Sequence, residues 1–569
     1  MRPHDTPPSE PSDPDAPDPA EGPRRDRAGR LRRYLVGNAG TYEARATRRG
    51  VRSVLMNAAM IVAAGFLLSR VLGLLRSVAI AHAFGTDPEL SAYWVAFRLP
   101  DLVFQLLAGA TLSAAFIPTF SRERMERGEA AAWRLASSVL HLISIATAVA
   151  AAAAFFLAPV IVPWLAPGLG EATGREDELM AQAVSLTRLM LLSPLFFGVS
   201  GMLTGILNGR QHFIAPAIAP LIYNLGIIAG ALLLAEPLGV YGLAWGVVAG
   251  SAGHLLVQVP ALARVGMRWT PALDWRGPGV REVLRLMGPR IVGLAAAQVN
   301  FIALMFFASF VSDEAISAMN YAFLLVMLPV GVIGMAISTA VFPTLAEQAA
   351  ARQTARLRRA ITRALRVILL LAIPASAGLA LLAEPVVRLL LERGAFDEPA
   401  TQLVAGVLVV YAFGVFALSG VEIVSRGFYA LADTRTPVAA AVVTMVLNVA
   451  LAALLVGPFG LRGLAAAAAT AAALEFGLLL WALHRRIGGL DARGLRRSVT
   501  STVLATLVMT AVVLGTRWAL AQAGLAAETT MTALAVLAMC GGAGALVFLL
   551  TSYLINRDDY TALGEGLGR

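Results

Sequence analysis

From about residue 54 onward the chain is a succession of apolar runs, each roughly twenty residues long and separated by short polar loops. A helix of that length, rising about 1.5 Å per residue, matches the roughly 30 Å hydrocarbon core of a bilayer. Backbone amides find no water there, so each segment must satisfy its own hydrogen bonds as a helix or close into a barrel. Barrel strands would be short and alternating, and no such pattern occurs. The expected fold class is all-α integral membrane, with about fourteen transmembrane helices. They centre on residues 55–83, 90–119, 134–165, 180–207, 213–235, 239–263, 285–311, 318–346, 362–388, 403–430, 437–457, 462–484, 498–520 and 530–555. Only 14% of residues are charged, against about 25% in a soluble domain.

The net charge of +10 would suit nucleic acid, but its placement argues against that partner. There is no lysine, and the arginines cluster in alternate loops: 122–134, the turn holding Arg210, 264–290, 352–366, 426–435 and 485–497. The intervening loops 85–89, 236–239 and 312–314 hold none, and Arg175, Arg393 and Arg462 are the exceptions on that side. This positive-inside bias places both termini in the cytoplasm, with an even number of spans. Residues 1–52 read as a disordered cytoplasmic tail, acidic and Pro-rich through Glu21, then Arg-rich from Arg24. Residues 557–569 read as a second cytoplasmic tail. Cys540 is alone and the histidines are scattered, so neither a disulfide framework, a metal site nor a cofactor is expected.

The chain repeats itself at an offset of about 219–225 residues. Ser113-Ala-Ala-Phe-Ile-Pro-Thr119 returns as Ser338-Thr-Ala-Val-Phe-Pro-Thr344, and Leu238-Gly-Val-Tyr-Gly-Leu-Ala244 as Phe459-Gly-Leu-Arg-Gly-Leu-Ala465. Ser200-Gly201 matches Ser419-Gly420, Pro216 matches Pro437 and Asn224 matches Asn448. Each copy holds six spans and so inserts in the same orientation, which implies two lobes with a substrate cavity between them. The expected division is an N-lobe at 53–265, a C-lobe at 266–486, and spans thirteen and fourteen at 487–556 outside the repeat. Prolines within or at the ends of spans (Pro100, Pro194, Pro329 and Pro374 among them) predict bends.

The polar residues left inside the membrane are the functional candidates. Arg70 and Arg76 flank Gly73 in the first span, where a guanidinium persists only beside water, an anion or a carboxylate. The planar fork of arginine suits phosphate, so an anionic, phosphate-bearing substrate is the sharper reading, and a structural ion pair or headgroup snorkelling the plainer one. Arg98 and Asp101 flank Pro100, either paired with each other or with Arg98 joining the cavity arginines. Arg290, Gln298 and Asn300 open the seventh span, as donors to sugar or phosphate oxygens or as ordinary interhelical contacts. Glu422 and Arg426, one turn apart, suit an intrahelical ion pair. Glu422 is also the best intramembrane carboxylate for a proton or cation step or for gating, with Glu475 second.

Ser69-Arg-Val-Leu-Gly-Leu-Leu-Arg76, Phe84-Gly85, Val95-Ala-Phe-Arg-Leu-Pro100 and Ala114-Ala-Phe-Ile-Pro118 occur in one order, followed by Gly288-Pro289, Gly427-Phe-Tyr-Ala430 and Asp433-Thr-Arg-Thr-Pro437. Together they resemble the MurJ/MviN family of lipid II flippases, within the superfamily of multidrug and polysaccharide exporters, over about residues 53–556. The resemblance implies two lobes around a cationic cavity, in the bacterial cytoplasmic membrane. It implies a multi-pass transporter that moves the undecaprenyl-diphosphate-linked peptidoglycan precursor, lipid II, from the inner to the outer leaflet by alternating access. The last two helices would form a groove for the lipid tail, and cell-wall synthesis enzymes are the implied protein partners. Arg70 and Arg76 match the family's first-span arginines, and Arg98 a basic position.

Three departures stand out. Ser91 replaces a frequent acidic residue, Phe104 lies near a missing arginine, and Phe323-Leu324 replaces an Asp-Arg pair. They leave two alternatives open: a flippase for another undecaprenyl-linked glycan, or a transport-dead membrane scaffold. A multidrug exporter fits less well, because Arg70 and Arg76 repel cationic substrates. An enzyme fits least, because the longest outer loop offers only Glu171, Glu176, Asp177 and Glu178 as carboxylates.

Overall fold

A computed structural model describes residues 48–107 and 110–555, so residues 1–47 of the first expected tail and the whole of the second lie outside the described residues. No strand occurs among those residues. The first half comprises α1 (Arg48–Phe84), α2 (Pro88–Leu107), α3 (Ala110–Arg127), α4 (Glu129–Leu165), α5 (Glu176–Met190), α6 (Leu192–Gly209), α7 (Ile214–Leu233), the single turn α8 (Ala235–Leu238), α9 (Val240–Leu256) and the short α10 (Val259–Arg264). The second comprises α11 (Pro278–Ser309), α12 (Ala315–Pro329), a π-helical turn Val330–Met335, α13 (Ala336–Ala350), α14 (Thr354–Leu381), α15 (Ala383–Leu391), α16 (Glu398–Ala412), α17 (Val415–Ala430) and α18 (Arg435–Arg486). The chain closes with α19 (Ala492–Gln522) and α20 (Thr530–Ile555). The first helix begins inside the stretch read as a tail.

The chain is an all-α membrane protein, but fewer helices qualify as spans than expected. Ten are long and apolar enough to cross a bilayer among the described residues, or eleven if α16 and α17, bent by 47°, form one span. Polarity and breaks account for the shortfall from about fourteen. In α2, Glu89, Arg98 and Asp101 interrupt the apolar surface. In α11 the apolar stretch is only Gln298–Ser309. Spans eleven and twelve merge into α18, broken internally where Gly460 takes φ 56°. That left-handed conformation suits glycine and reverses the chain without ending its hydrogen bonding.

The packing differs between the two faces of the bundle. At the arginine-poor face one apolar cluster joins both halves, with Phe84, Leu90, Leu165 and Leu169 meeting Ile316, Leu391 and Phe396. Polar contacts reinforce it. The buried Asp313 carboxylate accepts from Gly170 N at 2.7 Å, Thr173 N at 3.0 Å and Thr173 Oγ1 at 2.6 Å. Ser91 and Ser317 share a hydrogen bond of 3.0 Å, and Ala395 N donates to His82 O at 2.9 Å. Gly85 packs so closely that a Cβ would stand 2.4 Å from Ala395 O.

At the arginine-bearing face the core divides. Phe116, Phe120, Trp133 and Leu207 form one cluster with the start of α11, whereas Leu357, Ile361, Phe428 and Leu483 form another. Its loops pair among themselves: Arg210 with Glu129 at 2.6 Å, Arg366 with Asp491 at 2.7 Å, and Arg122 with Glu282. Arg175, an exception to the charge bias, sits on the other face with Glu89 at 3.2 Å and Glu178 at 2.6 Å.

Candidate functional site

Among the helices of the second half lies a cavity of about 600 Å³, with Arg98 of the first half on its wall. The second half supplies most of its wall, from α11, α12, α16, α17 and both arms of α18; Arg98 on α2 is the first half's contribution. Asn300, Asn320, Glu422, Thr444, Asn448 and Glu475 are polar groups in an otherwise apolar lining. Asn448 Nδ2 donates to Asn300 Oδ1 at 2.5 Å, which ties α18 to α11 and leaves Asn448 Oδ1 buried without a partner. Thr444 and Glu475 come from opposite arms of α18, brought together by the reversal at Gly460.

The expected site residues fall into three groups. Arg98, Asn300, Glu422 and Glu475 line the cavity together. Arg70, Arg76, Gln298 and Arg426 lie outside its lining. Arg290 lies on α11, but its side chain is outside the described part of the structure.

Arg70 is exposed and reaches across to the second half, where Nη2 donates to Met335 Sδ at 3.4 Å. A Cβ on Gly331 would stand 2.8 Å from Arg70 Nη1, so this glycine makes room for a guanidinium. Gly334 instead packs against α17, with Ser419 Cα 2.7 Å from its Cβ position. Arg76 is half-buried, its Nε has no hydrogen-bond partner, and it lies within electrostatic reach of Tyr93 and Tyr223. Tyr223 is also within electrostatic reach of Asp101.

That pair combines both expectations for Arg98. Its Nη1 stands 3.9 Å from Asp101 Oδ2, and its guanidinium lies over the Phe301 ring at 5.1 Å while facing the cavity. Sequence reading missed what Asp101 does next: it accepts from Gln105 Nε2 at 2.7 Å, and Gln105 Oε1 accepts from Gln298 Nε2 at 2.6 Å. The i,i+4 spacing of Asp101 and Gln105 was the available signal.

Glu422 is engaged by Arg426, which also donates to Thr339 Oγ1 at 2.9 Å. The three departures are filled by other chemistry. Ser91 bonds Ser317, Phe104 packs on Phe197 with ring centres 4.7 Å apart, and Phe323 meets Phe301 at 5.5 Å and Tyr411 at 6.2 Å. The second half thus presents an aromatic and amide wall, which can pack against sugar rings and hydrogen-bond their hydroxyls, opposite a guanidinium that can hold an anionic oxygen.

The family profile described as lipid II flippase MurJ matches residues 80–534. The lipid II flippase MurJ of Burkholderia cenocepacia is 32% identical over 435 residues, covering 75% of this chain and 84% of its own length. A probable lipid II flippase MurJ of Synechocystis is 32% identical over 455 residues, covering 77% and 83%. Among solved structures, a lipid II flippase MurJ in an inward closed conformation superimposes with a TM-score of 0.73 at 24% identity, covering 88% of this chain and 99% of that one. An inward-facing MATE family multidrug transporter of the MOP superfamily gives 0.61 at 17% identity, covering 74% and 94%. Both structural likenesses describe the fold.

Proposed function

The chain belongs to the lipid II flippase MurJ family, and we propose that it moves the undecaprenyl-diphosphate-linked peptidoglycan precursor, lipid II, from the inner to the outer leaflet by alternating access. It is a multi-pass membrane transporter by family. The observation that carries the reading is a cavity of the second half with a first-half cation on its wall, in a bundle that has one continuous core at one face and two separate cores at the other. A headgroup enters where the cores are separate and leaves when the joined face parts.

The positive-inside bias makes the split face cytoplasmic, with both termini there, in the bacterial inner membrane. Residues 53–265 and 266–486 are then the two lobes, and the shorter or charged helices complete about fourteen crossings. Arg70, Arg76 and Arg98, with Arg290 and Asn300, receive the diphosphate and first sugars, and Gln298, whose amide is given to Gln105 outside the cavity lining, stands behind them. The engagement of Glu422 by Arg426 leaves Glu475, across from Thr444 in the cavity, as the better-placed carboxylate for coupling.

The helices α19 and α20 pack on α14 and α15 through a small cluster around Leu370, Met509 and Cys540, and expose Leu504, Leu507, Leu546 and Leu550. A polyprenyl tail is costly to draw past buried cations, and these helices give it an apolar track outside the cavity.

Replacing a bacterium's essential lipid II flippase with this gene tests the substrate. Growth supports lipid II, whereas failure despite correct insertion points to another undecaprenyl-linked glycan. The orientation is tested in a Cys540→Ala background. Cysteines at Asp87, Ser312 or Glu398 should label from outside intact cells, and cysteines at Glu129, Gln353 or Asp491 should not.

A further inference from the structure

Arg98 has a carboxylate beside it that does not grip it. A closed arginine–carboxylate pair brings nitrogen and oxygen to about 2.7–2.9 Å. Here the nearest approach is 3.9 Å, from Nη1 to Asp101 Oδ2, and Arg98 Nε is buried with no hydrogen-bond partner. The reason lies on the same oxygen. Asp101 Oδ2 accepts from Gln105 Nε2 at 2.7 Å, and Gln105 is held in turn by Gln298 Nε2 on α11 at 2.6 Å. Gln298 is buried, so this chain of amides is anchored in the second half of the protein.

We propose that Asp101 is an internal counter-anion, restrained by the Gln105–Gln298 amides, which a diphosphate displaces from Arg98. The inference rests on the diphosphate-bearing substrate proposed above. A buried guanidinium with no negative charge nearby is costly, and one locked to a carboxylate has that edge of its fork occupied and its charge already neutralised. A carboxylate held at the edge of ion-pair range avoids both extremes. It neutralises the empty site, yields the fork to phosphate, and competes again when the phosphate must leave. Asp101 and Gln105 are thus positioning residues, acting on the substrate through Arg98.

The proposal makes two neighbouring substitutions act in opposite directions. Asp101→Asn removes the competitor and should tighten diphosphate binding about tenfold. Gln105→Leu releases the carboxylate to close on Arg98 and should weaken binding several-fold. In the Asp101→Asn background Gln105→Leu should have no further effect, because there is no longer a charge to restrain.

The experiment is binding of a fluorescent short-chain prenyl diphosphate to the full chain in lipid nanodiscs. Arg98→Ala serves as the control that reports on the site. No binding by the unaltered protein removes the diphosphate reading, and this inference with it. Binding by the unaltered protein, lost in Arg98→Ala but unchanged or weakened in Asp101→Asn, overturns the inference alone. So does a loss on Gln105→Leu that persists without the Asp101 charge. Gln298→Leu, which removes the distant anchor and touches neither charge, should weaken binding as Gln105→Leu does, and a normal affinity there would also overturn it. That arm keeps the test decisive if the Asp101 variant folds poorly.

Discussion

In the first half of the bundle, Arg76 and Arg98 each bury an Nε that makes no hydrogen bond, and Arg98 is only loosely matched by Asp101. In the second half, Arg426 is engaged by Glu422 and by Thr339, to which it donates at 2.9 Å. The two halves share a repeated pattern, so the contrast lies in charge placement and not in architecture. A cation whose donors are used up by protein joins helices together. One with donors to spare, at the wall of a cavity, is placed for a ligand.

The largest expected effect comes from breaking the first side of that contrast. Arg70→Ala or Arg76→Ala should abolish transport while the protein still inserts and folds, as judged by membrane yield and size-exclusion profile. Arg70→Lys should restore it only in part, because an ammonium lacks the fork. Normal transport by both alanine variants would remove the cations from the mechanism.

The second half should respond in stability. Arg426→Ala strands Glu422 and should lower the melting temperature by several degrees, whereas the double variant Glu422→Gln with Arg426→Gln should restore most of it. The pair is partly exposed, so the loss stays below that of a sealed ion pair. Equal melting temperatures for single and double variants would contradict a pairing role.

A smaller effect concerns the joined face. Asp313→Ala leaves the buried Gly170 donor without its acceptor, at about 1–3 kcal/mol, while the exposed Thr173 donors can turn to water. That face should part more often, which faster alkylation of a cysteine at Ser91 would register in a Cys540→Ala background.

The smallest is a pH effect at the same face. Burial, then Glu89, Asp397 and Glu314, raise the Asp87 carboxyl above its ordinary value. The closed face therefore binds the proton better than the parted one. Closure gains as pH falls through that raised value and is lost as pH rises through it. Alkylation at position 91 should slow on mild acidification, and Asp87→Asn should remove the dependence.

Much of this was legible in the chain because it is local. Apolar run length gave the helices, the arginine bias separated two sets of loops, and spacing alone suggested the Arg98–Asp101 and Glu422–Arg426 pairs. What escaped reading depends on distant segments. Gln298 with Gln105, Asn300 with Asn448, and Arg70 with Met335 are partners only once the halves pack. Asn448 was visible as a repeat match to Asn224, yet Asn224 donates within its own helix to Pro220 O at 2.9 Å whereas Asn448 reaches α11. Helices that pass as spans by length and apolarity are fewer than the runs read from the chain where a helix carries charge, as in α2, or continues across a kink, as at Gly460.

The most direct test of the contrast is leaflet-resolved translocation of labelled lipid II by purified protein in liposomes. It would compare Arg76→Gln with the double variant Glu422→Gln and Arg426→Gln. Each set removes charge from within the bundle, but only one removes a cation with a donor to spare. The account predicts loss of translocation in Arg76→Gln and a rate near that of the unaltered protein in the double variant. Translocation retained by Arg76→Gln, or lost equally in both, would contradict it.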